Sequence, residues 1–299
     1  MTAASLRRPQ RRPVKLGSVT AGRPPLFCDT ALAARIERAE AQLIAEAGVA
    51  AGRRRADMAG FVIPVCGGAA VFAEEGSPFN KVAGLGFGGV PAAATLNEIE
   101  QAFAACGAPV QVELAHLGDP AISALLTGCG YRLTSFENVL GRSLTGEPER
   151  VTPPGIEVRQ IGEDEFESWF DVVTDGFTHP DTSGVPSHEE FPREVIARAE
   201  RDSAAGMTRY IALHDGMIAG GARLRTAEGI AHLSGAATAP AHRRRGVQTA
   251  LLSARLADAA AAGCDIAVVT TQPGSKSQQN VQRQGFDLLY TRAVLVKQP

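Results

Sequence analysis

The stretch that most constrains this chain is Gly235–Leu252, GAATAPAHRRRGVQTALL. In it an apolar run stops at a proline, passes through three consecutive arginines and a glycine, and turns helical at once. Pro240 cannot continue a central strand, and Val247, Ala250, Leu251 and Ala254 recur at helical spacing. The pattern therefore reads strand, tight turn, helix. The first turn of a helix leaves its amides unpaired and carries partial positive charge. Gly246 at the entrance lets a ligand approach that backbone closely, and Arg243, Arg244 and Arg245 add full charges beside it. Arginines alone would equally describe a solvated basic loop. It is the ordered combination that points to a bound diphosphate.

Around this stretch the chain divides in two. Ser143–Gly155, SLTGEPERVTPPG, is polar and rich in turn formers, as a linker is. Before it, periodicity predicts a helix over Thr30–Ala47, strands over Gly60–Cys66, Ala69–Ala73 and Lys81–Leu85, and a helix over Ala93–Ala105. A strand over Val110–Leu114, a short helix entered through Asp119–Pro120 and a strand over Tyr131–Leu140 complete that half. After the linker come helices over Glu163–Phe170 and His188–Arg201 and a hairpin of Thr208–His214 and Ile218–Arg225 about Asp215–Gly216. A strand over Ile230–Ala237, a helix over Val247–Ala262, a strand over Asp265–Thr271, a short helix and a last strand follow. Both halves close on a glycine–aromatic pair, Gly130–Tyr131 and Gly285–Phe286, which marks a loose internal duplication.

With Pro240, Arg243, Gly246 and Val247 in this order, the C-terminal half resembles the GNAT superfamily of N-acetyltransferases, whose acetyl-CoA signature is an Arg/Gln-x-x-Gly-x-Gly/Ala turn after a strand. Gln248 departs from the signature's second small residue. A later segment, SKSQQNVQRQGFDLLYTR, is similar to the superfamily's short helix, Gly-Phe pair and strand. The resemblance implies an α/β (mixed α+β) chain of two tandem GNAT-like domains, each a mixed, mostly antiparallel sheet flanked by helices. Its divisions are a disordered basic tail over residues 1–25, a degenerate GNAT-like domain over 26–142, a linker over 143–155 and a GNAT acetyltransferase domain over 156–299. The degenerate half has no Arg or Gln in its counterpart turn, GLGFGGVPAAATLNEIEQAF.

The resemblance further implies an acetyl-CoA co-substrate held by Ala237, Thr238, Arg243, Arg244, Arg245, Gly246, Val247, Gln248, Thr249 and Asn280. The acetyl group would pass to a primary amine of a small molecule or peptide by direct attack in a ternary complex, with no metal. The backbone N–H near Ala237 would stabilise the oxyanion. His232, where such enzymes often place a glutamate, would serve as base, since an ordinary imidazole titrates near neutrality. The position at which many members carry a general-acid tyrosine is Val281; Tyr290 is the candidate substitute, with Tyr210 beside it. His179 and His188, with Asp175, Asp181 and Glu189, fall where the acceptor pocket is expected. The vacancy at Val281 also admits a non-catalytic acyl-CoA sensor or assembly module.

Other features exclude more than they assign. Gly84, Gly86 and Gly89 spell a dinucleotide fingerprint, with Glu113 in the place of its acidic residue, but no βαβ series surrounds them. Trp169 shares an apolar helical face with Phe166 and Phe170, as a core residue does. A net charge of -2 speaks against a nucleic-acid partner. No apolar run approaches the ~18 residues of a membrane span. The basic first 25 residues lack the apolar core of a secretory signal, and five unpaired cysteines fit a reduced, cytoplasmic protein. Oligomeric state leaves no trace in the pattern.

Overall fold

A computed structural model describes residues 25–55, 60–146, 150–179 and 191–299. The basic tail up to residue 24, part of the linker, and His188, Asp181 and Glu189 lie outside these residues.

The first half runs α1 (Thr30–Arg54), β1 (Phe61–Val65), β2 (Gly68–Phe72), β3 (Lys81–Ala83), α2 (Ala93–Ala105), β4 (Val110–Ala115), α3 (Pro120–Gly128) and β5 (Arg132–Ser143). The second runs β6 (Ile156–Gln160), α4 (Phe166–Thr178), α5 (Arg193–Asp202), β7 (Met207–His214), β8 (Met217–Ala227), β9 (Ile230–Thr238), α6 (Val247–Ala261), β10 (Ile266–Thr271), α7 (Lys276–Arg283) and β11 (Asp287–Lys297). Local chemistry sets several boundaries. The side chains of Asp29, Asp119 and Ser275 accept backbone N–H groups of α1, α3 and α7. Asp215 and Gly216, with φ of 52° and 79°, form the primed turn that a right-twisted hairpin requires.

Several elements differ from the sequence expectation, and three show why. Helix α4, expected over Glu163–Phe170, starts at Phe166 and runs on to Thr178 as Val173 continues its buried face. Helix α1 continues seven residues past Ala47, through Gly48 and Gly52. Gly48 is a packing residue: a Cβ there would lie 2.5 Å from Val71 Cγ1, so the small residue lets α1 rest on β2. Strand β6 carries apolar side chains only at Ile156 and Val158, because it is an edge strand with one face in water.

All eleven strands belong to one sheet, in the order β1-β2-β3-β4-β11-β5-β10-β9-β8-β7-β6. Only β3–β4 and β9–β10 pair parallel. The halves exchange their last strands: β11 lies between β4 and β5, and β5 lies between β11 and β10. The linker is docked as well. The Val151 N–H donates to Ser253 Oγ at 2.6 Å, and Pro153 packs against Gly246.

Leu140, Leu224, Leu233, Leu251, Leu256 and Phe286 form the core beneath α6 and α7. Phe72, Ile99, Phe103, Val112 and Leu126 form the corresponding core in the first half. Helix α1 crosses the seam between them, where Ile36 and Ala39 meet Val139, Ile230, Val268 and Tyr290. Trp169 is fully buried among Phe166, Phe170, Val173, Ile211 and Ala237.

The glycine fingerprint of the first half is a packing device. Gly84 and Gly86 have φ of 79° and 118°, and Cβ atoms there would come within 2.8 Å of Ala41 Cβ and 2.9 Å of Gly118 Cα. The turn is thus filled by the protein's own backbone.

Candidate active site

Strands β9 and β10 stay paired for three residues only, Ile230–His232 against Ile266–Val268, and then part. A β-bulge lies on β9 between Ser234 and Ala237, where Gly235 has φ 57°. The opening between the strands leads to the N-terminus of α6 and forms a cavity of about 890 Å³. Gly246, at φ 88°, turns the chain into α6, and no side chain caps the helix. The first-turn amides of Val247, Gln248 and Thr249 therefore have no intrahelical acceptor, as in any helix, and face a wall of the cavity. Val247, Leu251, Leu252 and Leu256 are buried and anchor the helix that presents them.

Of the expected cofactor residues, Ala237, Thr238, Arg243, Arg244, Gly246, Val247, Gln248, Thr249 and Asn280 line this cavity, together with His232 and Val281. Arg245 is exposed and stands outside its lining. Arg243 is engaged elsewhere: its guanidinium donates to the carbonyls of Thr238 at 3.4 Å, of Gly176 at 3.3 Å and of His179. It ties the end of α4 to the end of β9, so of the three consecutive arginines Arg244 is the one in the lining without this tie.

The expected oxyanion donor needs correction by one residue. Just past the end of β9, the Ala239 N–H donates to Ala219 O of β8, and the Ala237 carbonyl points at Gly220. By strand alternation the Ala237 amide also faces β8. The peptide group of Thr238 faces the opening, where its carbonyl meets Arg243.

Tyr290 is not available as a general acid. It is 1% exposed, lies outside the cavity lining, and donates its hydroxyl to Glu37 Oε1 at 2.6 Å. Burial, with Glu37 next to it, drives its pKa well up. Tyr210 is likewise buried and donates to Asp258 Oδ2 at 2.8 Å. His179 is exposed and pairs with Asp175 at 3.2 Å.

His232 does line the cavity, but not as an ordinary imidazole. It is 9% exposed, and Nε2 has no hydrogen-bond partner among the described residues. Burial pushes its pKa down to about 4, against the opposing charge of Glu40. The ring is therefore neutral at physiological pH and offers a hydrogen-bond acceptor of low basicity.

Two cavity residues come from the other half. Glu40 and Leu43 of α1 form part of the wall near His232. Their neighbourhood is a charged cluster at the seam. Arg292 of β11 is 1% exposed and binds Glu37 at 2.7 Å and Glu40, with Glu113 at 3.8 Å and Glu137 at 3.7 Å. Lys81 binds Glu113 from the other side. Burial would raise the Glu40 carboxyl, but the Arg292 charge and hydrogen bond hold it down at about 2. Glu37 and Glu40 stand within the apolar stripe of Ile36, Ala39 and Leu43, and acids on a core-facing stripe are the sequence signal for this cluster. Arg255 of α6 also lines the cavity and donates to the carbonyls of Leu251 and Arg223.

Four carboxyls share two cations in the cluster, and Glu137 bears the surplus. Burial first, then repulsion by Glu113, raise its pKa from 4.5 to about 8. A raised folded-state pKa gives stability that is complete below the unfolded value and is lost as pH rises through the folded one. Wild-type stability should therefore fall between about pH 4.5 and 8. Glu137→Gln should remove that fall and gain on the order of 1–3 kcal/mol at pH 8.5. Urea unfolding of both proteins at pH 5 and 8.5 reads the difference; equal slopes with pH would refute it.

A mixed sheet whose central strands part beside the N-terminus of an uncapped helix leaves a cleft open to a ligand. Residues 166–286 match the family described as Acetyltransferase (GNAT) family, so the second half is a GNAT acetyltransferase domain, with acetyl-CoA as its acyl donor. The whole chain is similar in fold to a GCN5-related N-acetyltransferase from Kribbella flavida, at 19% identity and a TM-score of 0.65, over 90% of this chain and 96% of that one. It is also similar to a tandem GNAT protein from the clavulanic acid biosynthesis pathway, at 14% identity and a TM-score of 0.57, over 91% and 97% of the two chains. The fold is thus of the tandem GNAT type. No curated protein matches significantly. Among the described residues no helix is long and apolar enough to cross a membrane, and no cluster of His, Cys, Asp or Glu could hold a metal.

Proposed function

We propose that the protein acetylates a primary amine by direct attack on acetyl-CoA in a ternary complex. The observation that supports this reading most is the single cavity running from the uncapped amides of α6, between the parted strands, to His232 and Glu40. The amine nitrogen would bond to the thioester carbonyl carbon while the Thr238 N–H stabilises the oxyanion. Collapse of the adduct breaks the C–S bond and releases the CoA thiolate, which takes a proton from solvent; a thiolate needs little help, since its acid has a pKa of about 8.5. The amine proton passes through water in the cavity to solvent, since a His232 ring held at about 4 is too weak a base to keep it.

Gln248→Glu tests the grip without disturbing the fold. A carboxylate in the first turn of a helix is itself favourable, so thermal stability should hold or rise. The same charge faces the diphosphate, and the Kd for acetyl-CoA measured by calorimetry should weaken about tenfold or more. Unchanged affinity would remove the α6 N-terminus as the anchor.

Val281, apolar at a wall of the cavity, favours a second reading: an acyl-CoA sensor without turnover. Release of free CoA thiol from acetyl-CoA in the presence of a panel of mono- and polyamines separates the two. Tight binding with no release across the panel would select the sensor.

A further inference from the structure

Strand β9 ends with a partner on one side only. It stays paired to β8 as far as Thr238, opposite Gly220, whereas β10 leaves it after the His232–Val268 pair. The Thr238 amide faces the gap, and an amide that is to receive an oxyanion must stay unpaired and yet be fixed. The end of α4 supplies the fixing in two ways. Gly176, in its last turn, comes so close that a Cβ there would lie 2.7 Å from Ala237 Cβ and 3.3 Å from both N and O of Thr238. Arg243 then joins the two elements. Its Nε donates to the Thr238 carbonyl at 3.4 Å, and its Nη2 donates to the carbonyls of Gly176, at 3.3 Å, and of His179. The last two belong to the C-terminal end of α4, where carbonyls lack intrahelical donors and the helix dipole favours a cation. In a strand the N–H and C=O of one residue point to the same side, so holding the Thr238 carbonyl also aims its N–H.

We propose that Arg243 is a positioning residue: it straps β9 to α4, acts on the reaction through the Thr238 N–H that it aims at the thioester carbonyl, and is not a ligand of the diphosphate. The two roles demand different side chains. Lysine serves a phosphate well as a point charge. Its single nitrogen cannot reach carbonyls on two elements as the separate Nε and Nη2 of a guanidinium do. Gly176 carries the same inference independently of charge, because α4 rests on the Thr238 peptide only while that position has no side chain.

The inference rests on the acetyl-CoA reading of the same cavity, and the test keeps the two apart. The probes are acetyl-CoA and S-ethyl-CoA, which differ only in the carbonyl oxygen, with Kd measured by calorimetry. Wild type should bind acetyl-CoA roughly fivefold or more tighter, the increment of one hydrogen bond to that oxygen. Arg243→Lys should bring the ratio close to one while the Kd of S-ethyl-CoA stays within about twofold of wild type, which also reports a folded protein. Gly176→Ala, a change that helix propensity favours, should do the same by pushing α4 off Thr238, and it stands in should Arg243→Lys fail to fold. Gln248→Glu should give the opposite pattern, with both affinities weakened together and the ratio kept. A ratio that survives in Arg243→Lys and Gly176→Ala overturns the strap, whether or not the two affinities fall together. A wild-type ratio near one overturns it as well, because Thr238 then does not meet the carbonyl. Failure of both probes to bind wild type overturns the acyl-CoA reading instead.

Discussion

Expressed alone, residues 150–299 will not form a stable acetyltransferase domain, although they hold the whole family match and every residue of the α6 turn. The reason is the strand exchange. Both neighbours of β11 are β4 and β5, strands of the first half, and both neighbours of β5 are β11 and β10, strands of the second. In the isolated fragment β11 has no partner from its own half, and the long edge of β10 is bare. Unpaired edges with apolar side chains aggregate, and a strand of eleven residues without a ladder leaves its backbone groups unsatisfied. The Tyr290 and Arg292 side chains would also lose Glu37 and Glu40. The fragment should precipitate or show a broad, non-cooperative urea transition. Co-expression with residues 25–146 should yield a soluble one-to-one complex that unfolds in a single step. A monomeric fragment that melts cooperatively and binds acetyl-CoA would show that the halves are independent domains joined by a tether.

The linear pattern carried the elements but not this exchange. Alternating apolar residues in Arg132–Ser143 mark a strand, and nothing in the alternation says which strand lies beside it. The duplication was legible because each half orders its helices and strands alike. That Val151 and Pro153 are docked on α6 was not, since docking depends on Ser253 and Gly246 a hundred residues away in sequence.

The site divides in the same manner. Features set by local backbone were readable: the turn at Gly246, the helix start at Val247 and the end of a strand just before Pro240. Features set by facing were not. Arg243 has the sequence position of a phosphate ligand, but the end of α4 comes within its reach and claims its donors. Tyr290 follows a register shift between Leu288 and Tyr290 on β11, which upsets a period-two count and leaves the ring beneath α1. Glu40 belongs to the half that lacks any cofactor signature, so only the folded chain brings it to His232.

Arg292→Met should be the most damaging single substitution in the molecule. The guanidinium is 1% exposed and holds Glu37 and Glu40 at the junction of α1 with the exchanged strand. Removing one partner of a buried ion pair leaves uncompensated charge, and the cost is about 3–5 kcal/mol, a large part of the 5–15 kcal/mol typical of a domain. The sign with pH follows from the carboxyls. In the wild type Glu40, held at about 2, contributes stability that is present above its usual 4.5 and lost as pH falls toward 2. In Arg292→Met the orphaned acids are raised instead, so their penalty is absent below about 4.5 and grows as pH rises. The deficit relative to wild type should therefore be small near pH 4 and full at pH 7. Adding Glu37→Gln and Glu40→Gln to Arg292→Met should recover most of the loss at pH 7, because no bare charge remains buried. If the triple variant is no more stable than the single one, the guanidinium acts by filling space and by bonding the seam, not by neutralising it. Urea unfolding of the three proteins at both pH values decides between these, and a single variant within 1 kcal/mol of wild type at pH 7 would mean that water reaches the cluster freely.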